Sequence, residues 1–180
     1  SKIVSLRILV CSKEGIIEVD RDTTDNDGIQ MPCMLSVKIS KTNKLLYVFA
    51  NSEMYLPYRN LEGESISTVN QLTVGADGIY KSDILPFTGS QTIDDVSTDK
   101  IYTNIELTRC VSKLEMRIEK SEDVSVPVTL LSTSLANTSQ KSFLLLQNND
   151  WGVKYSPGGL VYANTEISSV FRVLENGFSD

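Results

Sequence analysis

The stretch IELTRCVSKLEMRIEK, residues 105–120, decides the fold class. Leu107, Cys110, Val111, Leu114 and Ile118 recur at helical spacing, whereas Ile105 and Leu107, then Leu114, Met116 and Ile118, alternate as in a strand whose phase slips once. Thr108, Cys110, Val111 and Ser112 are neutral to poor helix formers, and no Gly or Pro ends a helix before the alternating LEMRI. The stretch therefore reads as a strand with a bulge near Ser112 and Lys113, which lets the apolar set change phase without leaving the core. A helical first half is the competing reading.

Strand signals dominate on either side of it. VSLRILV, residues 4–10, is rich in branched residues, and SKEG leads from it into IIEV as a hairpin turn. DRDTTDNDG, residues 20–28, reads as an acidic loop, MLSVKIS, residues 34–40, as an alternating strand, and LLYVFAN, residues 45–51, as a central strand covered on both faces. One short helix is predicted in GESISTVNQL, where Ser65 could cap a turn that presents Ile66, Val69 and Leu72. ADG at 76–78 is a turn, and ILPFTGSQ, with Pro86 and Gly89, is an edge or irregular strand. VSVPVTLLSTSL, SFLLLQ and a hairpin around Pro157, Gly158 and Gly159 follow, and the whole is the pattern of an all-β sandwich or barrel.

Composition narrows the function classes. With 41% hydrophobic residues in 180, the chain can build an ordinary core. A formal charge of -6 repels phosphate backbones and anionic lipid, so no nucleic-acid partner is expected. Histidine is absent, which removes the commonest general base and the commonest transition-metal ligand. Cys11, Cys33 and Cys110 are widely spaced and odd in number, so they read as small apolar residues with at most one disulfide and not as a zinc site.

The remaining motifs carry little chemistry. Asp20, Asp22, Asp25, Asn26 and Asp27 are hard oxygen ligands, but Gly28 stands in the wrong place for a calcium loop and no Glu follows at the needed distance. Glu62 with Glu64, or Asp94 with Asp95, could be drawn as a hydrolase pair, yet adjacent carboxylates in turn-like sequence do not face each other across a cleft. There is no nucleophile elbow, P-loop or dinucleotide fingerprint. No catalytic, cofactor or metal residue is assigned, and the chain reads as a non-enzyme. Asn137-Thr-Ser matches a glycosylation acceptor by a three-residue pattern only.

Taken in order, several segments resemble one family, the type V pilins or fimbrillins of Bacteroidales. SKIVSLRILVCSKEGIIEV is similar to the family's opening strand and hairpin, and KLLYVFANSEMYL to the strand ending in Ala-Asn before the short helix. DILPFTGSQTI is similar to its Met-Ser-Gly or Met-Thr-Gly turn, with Phe87 in place of Met. IELTRCVSKLEMRIEK carries Arg109, Val111 and Lys113 in an Arg-x-Val/Ala-x-Lys pattern, and VFRVLENGFSD ends on the Glu-Asn of Glu175 and Asn176. The resemblance implies a transthyretin-like, immunoglobulin-like β-sandwich over 1–120 and the start of a second β-sandwich domain over 121–180, either abbreviated or a fragment.

The same resemblance implies a precursor with an outer-membrane lipoprotein stage, export through the outer membrane to the cell surface, and removal of a first strand. A strand from a neighbouring fimbrial subunit then fills the exposed groove by β-strand addition. The chain begins at the segment resembling the strand after the removed one, while no C-terminal donor is visible. Groove candidates are Val37 and Ile39, or Leu114, Met116 and Ile118, each also readable as ordinary core. The alternative function is a surface adhesin or tip module binding glycan or host protein, with Tyr55, Tyr58 or Trp151 on a loop-bearing face.

Overall fold

A computed structural model describes residues 2–75, 84–94, 98–117, 122–123, 125–127, 133–135, 141–145, 160–162 and 168–174. The described chain is all-β apart from one four-residue helix. Its centre is a five-stranded antiparallel sheet in the order β2-β1-β3-β5-β6, formed by β1 (Ser5–Ser12), β2 (Ile17–Thr24), β3 (Lys44–Ala50), β5 (Phe87–Ile93) and β6 (Thr108–Arg109). The helix α1 (Ser67–Asn70) and β4 (Thr73–Gly75) lie between β3 and β5 in the chain. Three further pairs join β7 (Val111–Arg117) to β11 (Ser168–Leu174), β8 (Thr133–Leu135) to β10 (Leu160–Tyr162), and β4 to β9 (Lys141–Phe143). Two of these ladders, β7 with β11 and β4 with β9, run across residue 120.

The opening hairpin forms as its sequence predicts. Ser12 N–H donates to the Ile16 carbonyl at 2.8 Å, and Gly15 turns the chain with φ +83, a left-handed conformation that a side chain resists. Val10 pairs with Val19 but Cys11 with Ile17, so Glu18 is the extra residue of a bulge that re-aims its carboxylate. The acidic stretch is not all loop: β2 continues through Thr24, because Asp20 to Thr24 pair with Leu9 to Ser5, and only the turn at 25–28 leaves the sheet. Among the described residues no group of three or more His, Cys, Asp or Glu is placed to hold a metal ion.

β1 and β3 are apolar on both faces because both faces are covered. Leu9 and Phe49 are buried on one face, Leu6, Val10 and Ala50 on the other. Residues 52–66 cover the first face, burying Leu56, Leu61 and Ile66, and Val69 of α1 joins them. The cover is fastened by Arg7, whose Nε and Nη2 donate to the two Asp20 oxygens at 2.8 and 2.6 Å while Nη1 and Nη2 reach the carbonyls of Pro57 and Arg59. Asp20 Oδ2 also accepts the Leu61 N–H at 2.8 Å. Burial alone would push the Asp20 carboxyl up, but Arg7 and the Leu61 N–H outweigh it and hold it below the usual carboxylate range. The cap on α1 differs from expectation: Ile66 is the N-cap, with no side-chain cap bond, although Ser65 Oγ accepts the Ser67 N–H at 3.2 Å.

The other face carries Ile8, Val48 and Gly89, which are ladder partners of one another. A Cβ on Gly89 would lie 2.3 Å from the Glu106 carbonyl oxygen and 2.8 Å from Ile105 Cγ2, so Ile105 and Glu106 pass directly over this strand. The stretch 105–117 is extended, as its composition predicts, but its interruption is at Cys110 and not near Ser112 and Lys113. There the chain leaves the ladder with β5 and, as β7, joins β11. Cys110 is buried and its thiol donates to the Leu144 carbonyl at 3.4 Å. Residues 118–120, the turn at 76–78, the 157–159 turn, Asn137 and the Glu175-Asn176 pair lie outside the described residues. No disulfide joins Cys11, Cys33 and Cys110, and burial pushes the Cys11 thiol up to about 11.

Asn51 ties the start of the chain to the end of β3. It adopts φ 54, its Oδ1 accepts the Val4 N–H at 2.8 Å, and its Nδ2 donates to the carbonyls of Lys2 and Leu85 at 2.7 and 3.1 Å. Asn51→Ala is expected to cost about 3 kcal/mol, at about 1 kcal/mol per lost buried hydrogen bond, and so roughly 6–12 °C in Tm by calorimetry. Gly→Ala within a strand ordinarily gains about 0.5–1 kcal/mol. At Gly89 the sign reverses, with a loss of about 1–3 kcal/mol from overpacking against Glu106, read from the denaturant midpoint. Ellman's reagent labels one thiol, Cys33, in the native protein and three in guanidinium chloride.

Candidate functional site

Two segments outside the sheets place alternate apolar side chains on the core over part of their length. In residues 33–40, Val37 and Ile39 are half-buried against the core while Ser36, Lys38 and Ser40 face solvent. In residues 101–107, Ile101, Ile105 and Leu107 pack on the core, and Tyr102, Thr103, Asn104 and Glu106 are exposed. This is the period-2 pattern of strands with one covered face. Yet neither segment is in a ladder, and among the described residues none of the backbone groups of 33–39 or 101–107 has a backbone partner.

Side chains, not ladders, hold them in place. Lys44 lies on the Val48 face of β3 with its side chain wholly buried, which requires that its ammonium be paired. Its Nζ meets Glu18 Oε2 at 2.8 Å and Ser40 Oγ at 2.8 Å, and it also donates to Thr42 Oγ1. The bulge that frees Glu18 thereby fastens the end of segment 33–40 to the sheet. Lys41 Nζ then reaches Asp99 Oδ1 at 2.7 Å, so the end of one unpaired segment meets the approach to the other. Met34, Leu35 and Tyr102, three of the large apolar side chains left exposed, all belong to these two segments.

Val37 and Ile39 thus lie in an unpaired segment against the core. Leu114 and Met116 lie in β7, opposite Phe171 and Ser169 of β11, and Ile118 lies outside the described residues. Periodicity alone did not single out Ile101 or Gly89 as part of this face, although a glycine inside a strand pattern is the ordinary signal of close backbone approach. Of the aromatics considered for ligand binding, Tyr58 is fully exposed, Tyr55 is half-buried in the core, and Trp151 lies outside the described residues. The carboxylates drawn as a hydrolase pair have structural partners: Glu62 Oε1 accepts the Asp20 N–H, and Glu64 pairs with Arg59.

No protein-family model and no curated protein matches the sequence. Solved structures do match the fold. A fimbrial assembly protein from Parabacteroides distasonis superposes with TM-score 0.58 at 15% identity, covering 97% of this chain and 70% of its own. A fimbrilin from Porphyromonas gingivalis gives TM-score 0.60 at 18% identity, over 97% of this chain and 59% of its own. A candidate adhesin from Bacteroides thetaiotaomicron gives 0.62 at 11% identity, over 99% of this chain and 66% of its own. The chain therefore spans about 59–70% of the length of these structures. Near-complete coverage at such low identity reflects a common backbone plan under a diverged sequence, and the plan of this chain is the fold of the Bacteroidales fimbrillin family.

Proposed function

We propose that this protein is a structural subunit of a cell-surface fimbria, exported through the outer membrane, whose partners are other fimbrial subunits joined by β-strand addition. The observation that carries the reading is the pair of segments 33–40 and 101–107, with apolar side chains on the core and no strand partner among the described residues. Such segments are a liability in a monomer, because rows of free N–H and C=O groups template pairing with another chain. In a polymer they are the docking site: the incoming strand forms the missing ladder while its alternate side chains cover Val37 and Ile39 and the Ile8 and Val48 face beneath. Fimbrial and adhesin proteins among the structural neighbours support a surface role.

In this reading β7, with Leu114 and Met116, belongs to the same assembly region. The division at residue 120 then marks a second unit, 121–180, which docks on the first through the β4–β9 and β7–β11 ladders. No cofactor or metal enters the mechanism, since strand addition is hydrogen bonding and burial alone.

The test is polymerisation in cells producing the protein from its own gene, followed as a ladder of detergent-resistant species. Val37→Asp with Ile39→Asp is expected to abolish the ladder by placing charges under the incoming strand, while Ser90→Asp, an exposed position on the opposite face, keeps it. Both side chains are only half-buried, so the purified double variant retains cooperative unfolding. A wild-type ladder from the double variant overturns the reading.

A further inference from the structure

On the Arg7 face, away from the unpaired segments, the end of β2 and residues 52–60 enclose a cleft of about 280 Å³. That is at the lower end of the roughly 300–1,000 Å³ range of small-molecule sites, room for one ring-sized group and not an extended chain. Its apolar floor includes Phe49 and Leu56, both buried. At its mouth stand Asp22, Thr24, Glu53, Tyr58 and Asn60. Loop closure alone does not explain these groups. Tyr58 is 103% exposed, and among the described residues neither the Asp22 nor the Glu53 side chain makes a hydrogen bond or salt bridge, although the Asp22 carboxylate acts on Arg7 at longer range. Large apolar surface left in water beside converging polar groups is the signature of a binding site.

The charges exclude most ligand classes. Arg7 is occupied by Asp20 and two carbonyls, and Arg59 by Glu64, so neither cation is available to an anion. The two carboxylates outside any salt bridge, Asp22 and Glu53, repel phosphate, sulfate and acidic sugars. A Lys side chain would suit those carboxylates and the tyrosine, but its ammonium only donates, so it offers no acceptor to the Asn60 amide and no ring to the Phe49 and Leu56 floor. A group that both donates and accepts, and is neutral, has no such limit. Hydroxyls donate to Asp22 and Glu53 and accept from the Asn60 amide, whose Oδ1 is already taken by the Glu62 N–H. Tyr58 supplies a flat apolar surface for the C–H face of a ring, with a polar tip beyond it.

We infer that this cleft binds one neutral pyranose unit of a glycan, held between Tyr58 and the carboxylates of Asp22 and Glu53. The site is independent of subunit assembly, because Arg7 and Phe49 are ladder partners on the face opposite Ile8 and Val48. Failure of one therefore leaves the other standing.

The test is a backbone-amide NMR titration of the full chain with glucose, galactose, mannose, fucose, N-acetylglucosamine and N-acetylgalactosamine, each to high millimolar concentration. N-acetylneuraminic acid and a Gly-Lys-Gly peptide serve as charged counter-probes. The expected result is saturable shifts confined to residues 22–24 and 52–60 with at least one neutral sugar and with neither counter-probe. Tyr58→Ala and Asp22→Asn should each weaken that binding tenfold or more without changing Tm, since neither side chain holds the fold together. The inference is overturned if no neutral sugar gives saturable shifts, if the shifts fall elsewhere, if both variants bind as wild type, or if the lysine peptide is the tighter ligand.

Discussion

The structure depends on one constraint: β1 and β3 are apolar on both faces, so their sheet must be covered twice. A sheet covered once could expose a polar face to water, as many antiparallel sheets do. Here the alternation that would permit this is missing from SLRILVCS, where six of eight residues are buried, and the second covering layer becomes obligatory. Every other feature follows from how the chain supplies those two layers.

The two covers are held by different physics. On the Arg7 face, residues 52–66 pair with the sheet edge through Ile17 N–H to Glu64 O and Gly63 N–H to Ile17 O, both at 2.8 Å, and a bidentate Arg7–Asp20 pair clamps the loop from within. Charge-assisted bonds with several carbonyls satisfied at once make this side complete. On the Ile8 face, segments 33–39 and 101–107 contribute side chains to the core, but among the described residues their main chains have no backbone partners. They contribute apolar burial and forgo the ladder, which puts them at the low-stability end of the molecule and leaves their hydrogen-bonding capacity for another strand.

Much of this was legible in the sequence, and what was not depended on contacts distant along the chain. The β1–β2 hairpin and the double burial of β3 follow from residue type and turn chemistry within a dozen positions. Periodicity correctly predicts that Val37 and Ile39 face the core, but periodicity reports only which side of a segment is dry. Whether its main chain has a partner is set by neighbours that one sequence does not reveal, so 34–40 reads as a strand and is found without a ladder. Lys44 is the clearest case: it lies between the predicted strands 34–40 and 45–51, where nothing marks it for burial, and the bulge that delivers Glu18 to it lets it be buried as an ion pair. The break at Cys110 was misplaced because apolar spacing locates a change of phase, whereas the chain changes partner where a small buried side chain and its bond to Leu144 permit the crossing.

Because side chains alternate along a strand, the same few residues of β1 and β3 serve two surfaces without compromise. Arg7 and Phe49 build the cleft side while Ile8 and Val48, one position along each strand, floor the side proposed for assembly. A polymer formed through the second surface leaves the first open on every subunit. A cleft that takes one neutral ring, with only a few hydrogen bonds and one stacking contact, binds weakly as a single site. Repeated along a fibre facing a surface of repeated sugars, it gains by effective concentration, which raises avidity by about 10²–10⁴ without any new contact. On the proposed function, a division of the sheet into a polymerising face and a free face would let weak recognition at each subunit become strong attachment by the assembly.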